Sequence, residues 1–505
     1  MRTISIRYTS IAFIAATFGF IACTSQTEDA AVDTETTESD AAIDGDAMVL
    51  EASAEDSSFT DAGDAASEGE GGTESDASDA SAPLHVVAVY RGSYSESVYV
   101  RYSDGRIKAF GDNSDGALGL GNMDIARGYT ANQMGANLPF VDLGAGKKVA
   151  SLSTAATTAC AVLTDGSVKC WGGNAYGQLG SGNTTSRGEN AGDMGDNLPT
   201  VSLGTGRTAT AISSGTGFNC AILDNGSVKC WGLNDSGQLG LGNTDNRGDD
   251  PNEMGDNLPA IDLGTGRTAK SISSGYGTTC AILDNNSLKC WGNNYWGPLG
   301  LEDGDNRGEA SGQMGDSLPA VNVGTGRTVV EVSVGDGRTC ARLDNAAIKC
   351  WGYGEKGALG RGTKDSVGYS AGTMGDNLPV VSLGTGRSAS ALGHGDGSMC
   401  AILDNGATKC WGLGEQGQLG DGQDANNKGD DPNEMGDNLA AIDLGTGRKA
   451  IQLAGGFNSW CALLDNYAVK CWGNAGHGLG YASTNTIGDG PNEMGDNLPE
   501  IDLTP

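Results

Sequence analysis

The chain has 505 residues, with 64 Asp and Glu against 31 Lys and Arg, a formal net charge of −33, and three His. A chain this acidic makes a poor nucleic-acid binder, because phosphates demand a basic footprint. Three histidines in three separate repeats, His85, His394 and His477, also leave few candidates for general-base chemistry.

At the start, Arg2 and Arg7 precede the apolar run 11–22, which ends on a small residue before Cys23. This reads as a secretory signal over residues 1–22, too short for a stable membrane span. Phe20-Ile-Ala-Cys23 resembles a bacterial lipobox, where signal peptidase cuts before the cysteine and the thiol is acylated. Cys23 is therefore the expected lipidation site, with an ordinary cleaved signal as the alternative. Residues 24–83 hold eighteen Asp or Glu, no Lys or Arg, and otherwise mostly Ala, Ser, Thr and Gly. That composition buries too little apolar surface to offset chain entropy, so residues 23–83 read as a lipidated Cys and a disordered acidic tether. After removal of residues 1–22 the net charge is −35, of which −17 belongs to residues 84–505. Basic proteins, divalent cations or plain solubility account for such a head better than nucleic acid does.

Residues 84–505 repeat. One position is filled in turn by Phe110, Trp171, Trp231, Trp291, Trp351, Trp411 and Trp472, at spacings of 61, 60, 60, 60, 60 and 61. A fixed period of this size marks a supersecondary unit that must stack on copies of itself. Within the unit, Cys220-Ala-Ile-Leu and Val228-Lys-Cys-Trp231 are short β-rich runs around Asp224-Asn225-Gly226, the pattern of a hairpin. A three-residue turn with Gly226 left-handed pairs Ile222 with Val228, Ala221 with Lys229, and Cys220 with Cys230. Ala346 and Tyr467 at the Gly226 position tolerate positive φ poorly, so those two hairpins are expected to turn differently. After Cys23 the remaining cysteines form six pairs, each at a spacing of ten: Cys160 with Cys170, Cys220 with Cys230, Cys280 with Cys290, Cys340 with Cys350, Cys400 with Cys410, and Cys461 with Cys471. Zinc sites prefer shorter gaps, so six local disulfides are expected for an exported chain. The first copy has Tyr99 and Ala109 in place of the cysteines.

Past each hairpin come Gly-x-Leu-Gly, a polar segment with a Met-Gly core (Met254-Gly255), a short strand at 260–263, and a second at 269–273. Four short strands and Gly-rich turns per repeat describe a propeller blade, and seven copies suit radial closure. The first copy lacks the Leu-Pro strand at its start and the sequence ends on one, so 498–503 is expected to pair beside 86–90 and close the ring.

The run Cys-Ala-x-Leu-x-Asn-Gly-x-Val-Lys-Cys-Trp-Gly-x-Asn-x-x-Gly-Gln-Leu-Gly resembles the repeat of the regulator of chromosome condensation superfamily, in its bacterial exported, disulfide-bearing form. The resemblance covers 84–505 and implies an all-β, seven-bladed β-propeller. For function it implies a binding platform for unrelated partners. The nuclear namesake is an exchange factor for the GTPase Ran, acting through a wedge that this sequence does not display. An exported relative inhibits β-lactamases by covering the enzyme with one propeller face.

Other motif matches carry little. Gly368-Tyr-Ser370-Ala-Gly372 spells a nucleophile elbow but occupies the polar loop. Gly352-Tyr-Gly354-Glu-Lys-Gly357 and Gly412-Leu-Gly414-Glu-Gln-Gly417 spell a dinucleotide fingerprint at blade turns with no helix to follow. Arg247-Gly-Asp249 varies among the equivalent loops. Asp249, Asp250, Asp256 and Asn257 form an oxygen-rich loop that is a weak calcium candidate; Asx-turns and strand caps explain the same residues. The recurring cation at Lys147, Arg207, Arg267, Arg327, Arg387 and Arg448 is expected to be their structural partner. The Trp series reads as core, whereas Trp296 and Trp460 fall outside it and, with Asp249, Asp250 and Asp256, are candidate contacts for a partner.

These observations favour a cell-envelope lipoprotein, anchored at the outer membrane or cell surface, whose monomeric, non-catalytic propeller binds a protein or other macromolecule through the loops of one face. No cofactor or nucleic acid is expected, and the membrane is met only through the lipid. The alternatives are an extracellular polysaccharide hydrolase or lyase, and a secreted enzyme inhibitor. A catalytic reading requires carboxylates that individual blades supply and their siblings lack.

Overall fold

The computed structural model describes residues 83–92, 94–122, 126–423, 426–476 and 478–505. The signal segment, Cys23, the tether up to residue 82 and His477 lie outside them. Residues 80–505 form one compact unit.

Seven antiparallel sheets follow one another along this unit. The third is typical: Ala209–Gly215 pairs with Phe218–Leu223, which pairs with Val228–Gly232. The second and third strands are buried at every residue, so they read as continuous apolar runs rather than alternating ones. That is what a sheet packed on both faces requires. The first strands lie nearest the axis and keep partly exposed residues. The expected fourth strand is thinner than its sequence suggests. Arg247 bridges Gly232, and Ile261 N–H donates to Val228 O at 2.8 Å, so two short pieces share the outer edge.

The hairpin register sets Cys230 against Cys220 and Lys229 against Ala221. Six disulfides join the facing cysteines, with Cα–Cα separations of 4.0–4.1 Å. They are Cys160 with Cys170, Cys220 with Cys230, Cys280 with Cys290, Cys340 with Cys350, Cys400 with Cys410, and Cys461 with Cys471. None of the twelve stands at a surface site. Cys170, Cys350 and Cys471 are buried among the apolar side chains between neighbouring sheets, as are the other nine, so each cysteine is a core residue as well as half of a staple. The reason is their place on the second and third strands, which neighbouring sheets cover on both faces.

The turns at Ala346 and Tyr467 do not differ from the others. Both residues take positive φ, 62° and 67°, and keep the turn bond made by Gly226. Buried strands and a fixed cysteine register outweigh the roughly 1–2 kcal/mol cost of the left-handed conformation.

Neighbouring sheets pack face to face through the Trp series, all fully buried. Trp231 Nε1 donates to Gln178 O of the preceding repeat at 2.9 Å, and Trp171, Trp291, Trp351, Trp411 and Trp472 make the equivalent bond. The Gly-x-Leu-Gly motif is thus a socket for the next indole. In the seventh repeat this socket reads Gly478-Leu479-Gly480, one residue short. It faces Phe110, which has no N–H to donate; Gly480 lies against the Phe110 ring.

This seventh-to-first interface closes the ring. Val86, Val98, Val100, Tyr102 and Phe110 share one apolar cluster with Leu463, Val469, Cys471, Leu479 and Ile501. Near the axis the Gln452 amide clasps both backbone groups of Val89, at 3.0 and 2.9 Å. The closing segment is not paired beside 86–90, however. Ile501 N–H donates to Val469 O at the outer edge of its own sheet, as Ile261 does in the third. It reaches the first repeat through carbonyls: Gly135 N–H meets Asp502 O at 3.0 Å, Tyr102 Oη meets Leu503 O at 2.6 Å, and Lys108 Nζ meets Thr504 O at 2.7 Å. The first repeat needs no borrowed strand, because 86–90 already pairs with 97–102.

Candidate functional site

Most recurring polar residues are occupied with building blades. Buried lysines of the third strands carry their ammonium groups to loop carbonyls: Lys229 Nζ lies 2.7 Å from Gly255 O, and Lys289, Lys349, Lys409 and Lys470 repeat this. For the first four of these, burial lowers the pKa, against the pull of Asp256 and its equivalents. Asp256 Oδ1 and Oδ2 accept from Thr205 N–H and Oγ1 at 2.8 and 2.5 Å, which holds the carboxyl below its usual range. It is a clamp between consecutive repeats. Asn257 Nδ2 caps Asn252 O, and Asp250 N–H donates to Glu253. The Asp256 carboxylate and the Asn257 amide therefore serve separate local bonds, and Asp250 contributes its backbone N–H. No group of three or more His, Cys, Asp or Glu suited to a metal occurs among the described residues, at Asp249 or elsewhere. The recurring cations meet different acids from those expected. Arg207 pairs with the hairpin residue Asp224 at 3.0 Å, and Lys147, Arg267, Arg327, Arg387 and Arg448 do likewise. These pairs are half-exposed at the ends of hairpins and contribute little stability each.

Trp460, expected as a partner contact, is instead fully buried, its indole donating to Ser398 Oγ at 2.9 Å, and it cannot meet a partner. Trp296 is the opposite case, 42% exposed.

Antiparallel pairing puts the turns between first and second strands, and the loops leaving the third strands, at one end of the ring. The hairpin turns lie at the other. At the first end the repeats stop agreeing. Where the third repeat has Thr216, the fourth has Tyr276, the fifth Asp336, the sixth Asp396 and the seventh Phe457. The first repeat supplies Tyr94, held at φ 58°. Its ring centre lies 5.7 Å from Tyr276 and 6.3 Å from Phe457, and Asp336 is among the charges that act on its hydroxyl. Residues from four separate repeats thus converge at the mouth of the axis. Burial, then Asp336 and Asp396, pushes the Tyr94 phenol pKa up. Burial and Asp336 lift the Asp396 carboxyl to about 6, against the pull of Arg338. Arg338 is 2% exposed, and its Nε and Nη1 meet no hydrogen-bond partner. Burial lowers its pKa, opposed by Asp336 and Asp396.

Ser333 Oγ lies 2.6 Å from His394 Nδ1, a separation suited to a nucleophile and its base. Two observations argue against that role. Burial, with Arg338 beside it, pushes His394 down to about 4, which makes it a weak base. Ser333 also continues the row Ser153, Ser213 and Ser273, whose hydroxyls accept backbone N–H groups from the next inner strand.

Outward from the mouth the surface becomes aromatic. Tyr295 and Trp296 stand at positions held by Asp235 and Ser236 in the third repeat, and Tyr353 at the position of Leu233. Trp296 sits 4.8 Å from Tyr295 and 4.6 Å from Tyr353, ring centre to ring centre. Tyr295 is 73% and Tyr276 52% exposed. A Cβ on Gly337 would come within 3.2 Å of the Trp296 ring. The turn bearing Asp336 therefore touches the platform, and mouth and platform form one surface. Sequence reasoning singled out Trp296 alone. Comparing repeats position by position, and asking where each departs from its siblings, would have found the rest.

The Regulator of chromosome condensation (RCC1) repeat matches residues 149–178, 209–238 and 269–295, and again 165–222. Among curated proteins the chain is similar to the Ultraviolet-B receptor UVR8 of Arabidopsis thaliana, 24% identical over 80% of each chain. It is also similar to the E3 ubiquitin-protein ligase HERC2 of Homo sapiens, 24% identical over 65% of this chain but only 6% of that protein's length. Among solved structures it resembles Prp20p of Saccharomyces cerevisiae (TM-score 0.56, 16% identity, 74% of this chain and 80% of that one) and human WBSCR16 (TM-score 0.54, 16% identity, 74% and 84%). At this identity the structural likeness speaks for the fold.

Proposed function

The chain is a propeller of regulator of chromosome condensation repeats, and from that premise we propose that it is a non-catalytic scaffold binding another macromolecule through the face that carries Trp296. The observation behind this reading is the clustering of departures from the repeat at one end of the ring, with Tyr295, Trp296 and Tyr353 together against the turn that bears Asp336. Burying aromatic side chains is what concentrates binding energy in an interface. The mouth supplies carboxylates that siblings lack, but they come with a weakly basic histidine occupied by Ser333, which favours recognition over hydrolysis. Among solved structures, yeast Prp20p is described with its binding to Gsp1p and histones, and again, as yeast RCC1, bound to Kap60. This one relative supports a protein as partner here.

The basic and apolar segments before Cys23 support export and lipid anchoring at the bacterial envelope as part of the same reading. Intact-mass analysis tests it: a diacylglyceryl adduct on Cys23 is expected, and a water-soluble unmodified form refutes the anchor. Binding is tested by capturing envelope proteins on the immobilised full chain and on its Trp296→Ala variant. A partner retained by the first and lost by the second is expected; equal retention, or turnover of a polysaccharide panel, refutes the reading.

A further inference from the structure

The platform's chemistry narrows the class of partner, an inference that rests on the scaffold reading. Three rings stand together at the surface, and an aromatic face carries the negative end of a quadrupole that attracts cations. A carboxylate stands beside them, Glu355, which accepts from Tyr353 Oη, and the turn bearing Asp336 packs against Trp296. Lys356, on the same loop as Glu355, is already paired with Glu415 at 2.6 Å. The described head belongs to a segment with a net charge of −17. The chain shows the same chemistry internally, where the Arg106 guanidinium lies 3.9 Å above the Phe140 ring centre.

We propose that Tyr295, Trp296 and Tyr353, with Glu355 at their edge, dock an arginine-bearing segment of a partner protein. A guanidinium is planar, stacks on an indole and can bond a carboxylate through two N–H groups at once. An ammonium is a compact, strongly hydrated charge that can do neither as well, so arginine fits better than lysine. A neutral glycan would use the rings and leave the carboxylate charge unexploited, and charge complementarity favours the peptide over it.

The test uses the full chain. Seven of its eight tryptophans are fully buried, and Trp296 alone is open to a dissolved quencher. The probes are a blocked Gly-Arg-Gly-Arg-Gly peptide, its lysine counterpart, and a neutral β-glucan oligosaccharide. The arginine peptide is expected to shield Trp296 from acrylamide, and its affinity to fall as salt rises from low to molar concentration. By anisotropy of the labelled peptide, Trp296→Ala is expected to bind about tenfold more weakly, Glu355→Gln severalfold more weakly, and Trp296→Phe to retain most of the affinity. Trp296→Ala should still melt in one cooperative transition, lowered only modestly, because 42% of the side chain already faces solvent. The proposal is overturned if the arginine peptide leaves Trp296 unshielded, if Trp296→Ala binds it equally, or if the glucan shields Trp296 as well and without salt dependence. If Trp296→Ala still loses its envelope partner while the arginine peptide fails to bind, this inference falls and the scaffold reading stands.

Discussion

Removing residues 498–505 should open the ring. The deletion takes away Leu498 and Ile501, both buried, and the half-buried Leu503. At about 1.5–3 kcal/mol for each fully buried aliphatic side chain, the first two contribute roughly 3–6 kcal/mol. Among the hydrogen bonds lost, those from Ile501 N–H to Val469 O and from Gly135 N–H, Tyr102 Oη and Lys108 Nζ to the closing carbonyls together contribute about 4 kcal/mol. The Lys108 ammonium keeps only Gly135 O, 2.9 Å away, and its weakened pairing adds about 1–3 kcal/mol. The total, roughly 10 kcal/mol, is an upper figure because unfolded chains already bury some surface. It still rivals the about 5–15 kcal/mol that hold an ordinary domain together. Urea unfolding followed by tryptophan emission, with limited proteolysis in parallel, measures the effect. The truncated chain should lose most of its stability and be cut first in the 86–112 region. Tyr102→Phe should cost only about 1 kcal/mol. If the truncated protein unfolds at the same urea concentration as the parent, the closing interface described here does not hold the ring.

Other consequences can be checked separately. Replacing both cysteines of one pair, Cys280→Ala with Cys290→Ala, should lower unfolding stability by about 2–3 kcal/mol while leaving the blade folded, as its unstapled first sibling is. Asp396 has a folded pKa raised to about 6, so the folded state binds more protons than the unfolded one between about pH 4 and 6. Stability therefore falls as pH rises through that window; Asp396→Asn should remove the fall and gain about 2 kcal/mol at pH 7, read from denaturant melts across pH. Trp460→Ala should destabilise by about 3–5 kcal/mol without changing partner contacts, the reverse of Trp296→Ala.

Fold and site differ in how far the sequence discloses them, for a physical reason. The period, the cysteine register and the Trp series were legible because each residue does the same task in blade after blade. A repeated interface leaves a repeated letter. The pairing of Cys170, Cys350 and Cys471 with their partners could be read from spacing, whereas their burial between sheets could not, since it depends on which strands the neighbouring blades cover. Closure was legible, but its strand partner was not: 498–503 bonds Val469 rather than the 86–90 strand, since every such segment belongs to the sheet it follows. Ala346 and Tyr467 looked like breaks in the turn pattern, yet local preference yields to a register fixed by buried strands. Asp256 and its neighbours could be read as weak cation ligands or as caps, because an acid that caps a threonine and one that holds a cation are written alike; Asp256 caps Thr205. The mouth was hardest to see. Tyr94, Tyr276, Asp336 and Asp396 lie in separate repeats, and only the ring's curvature brings them together; Trp296 stood out because tryptophan is scarce off its series.

On the proposed reading, partners meet the end of the ring bearing Trp296, and hydrogen exchange on the captured complex checks this by comparing turns at the two ends. Slowed exchange is expected at 293–297, 335–338 and 353–356, with the hairpin turns at 224–226, 284–286 and 404–406 unchanged. Protection confined to those hairpin turns would contradict the claim.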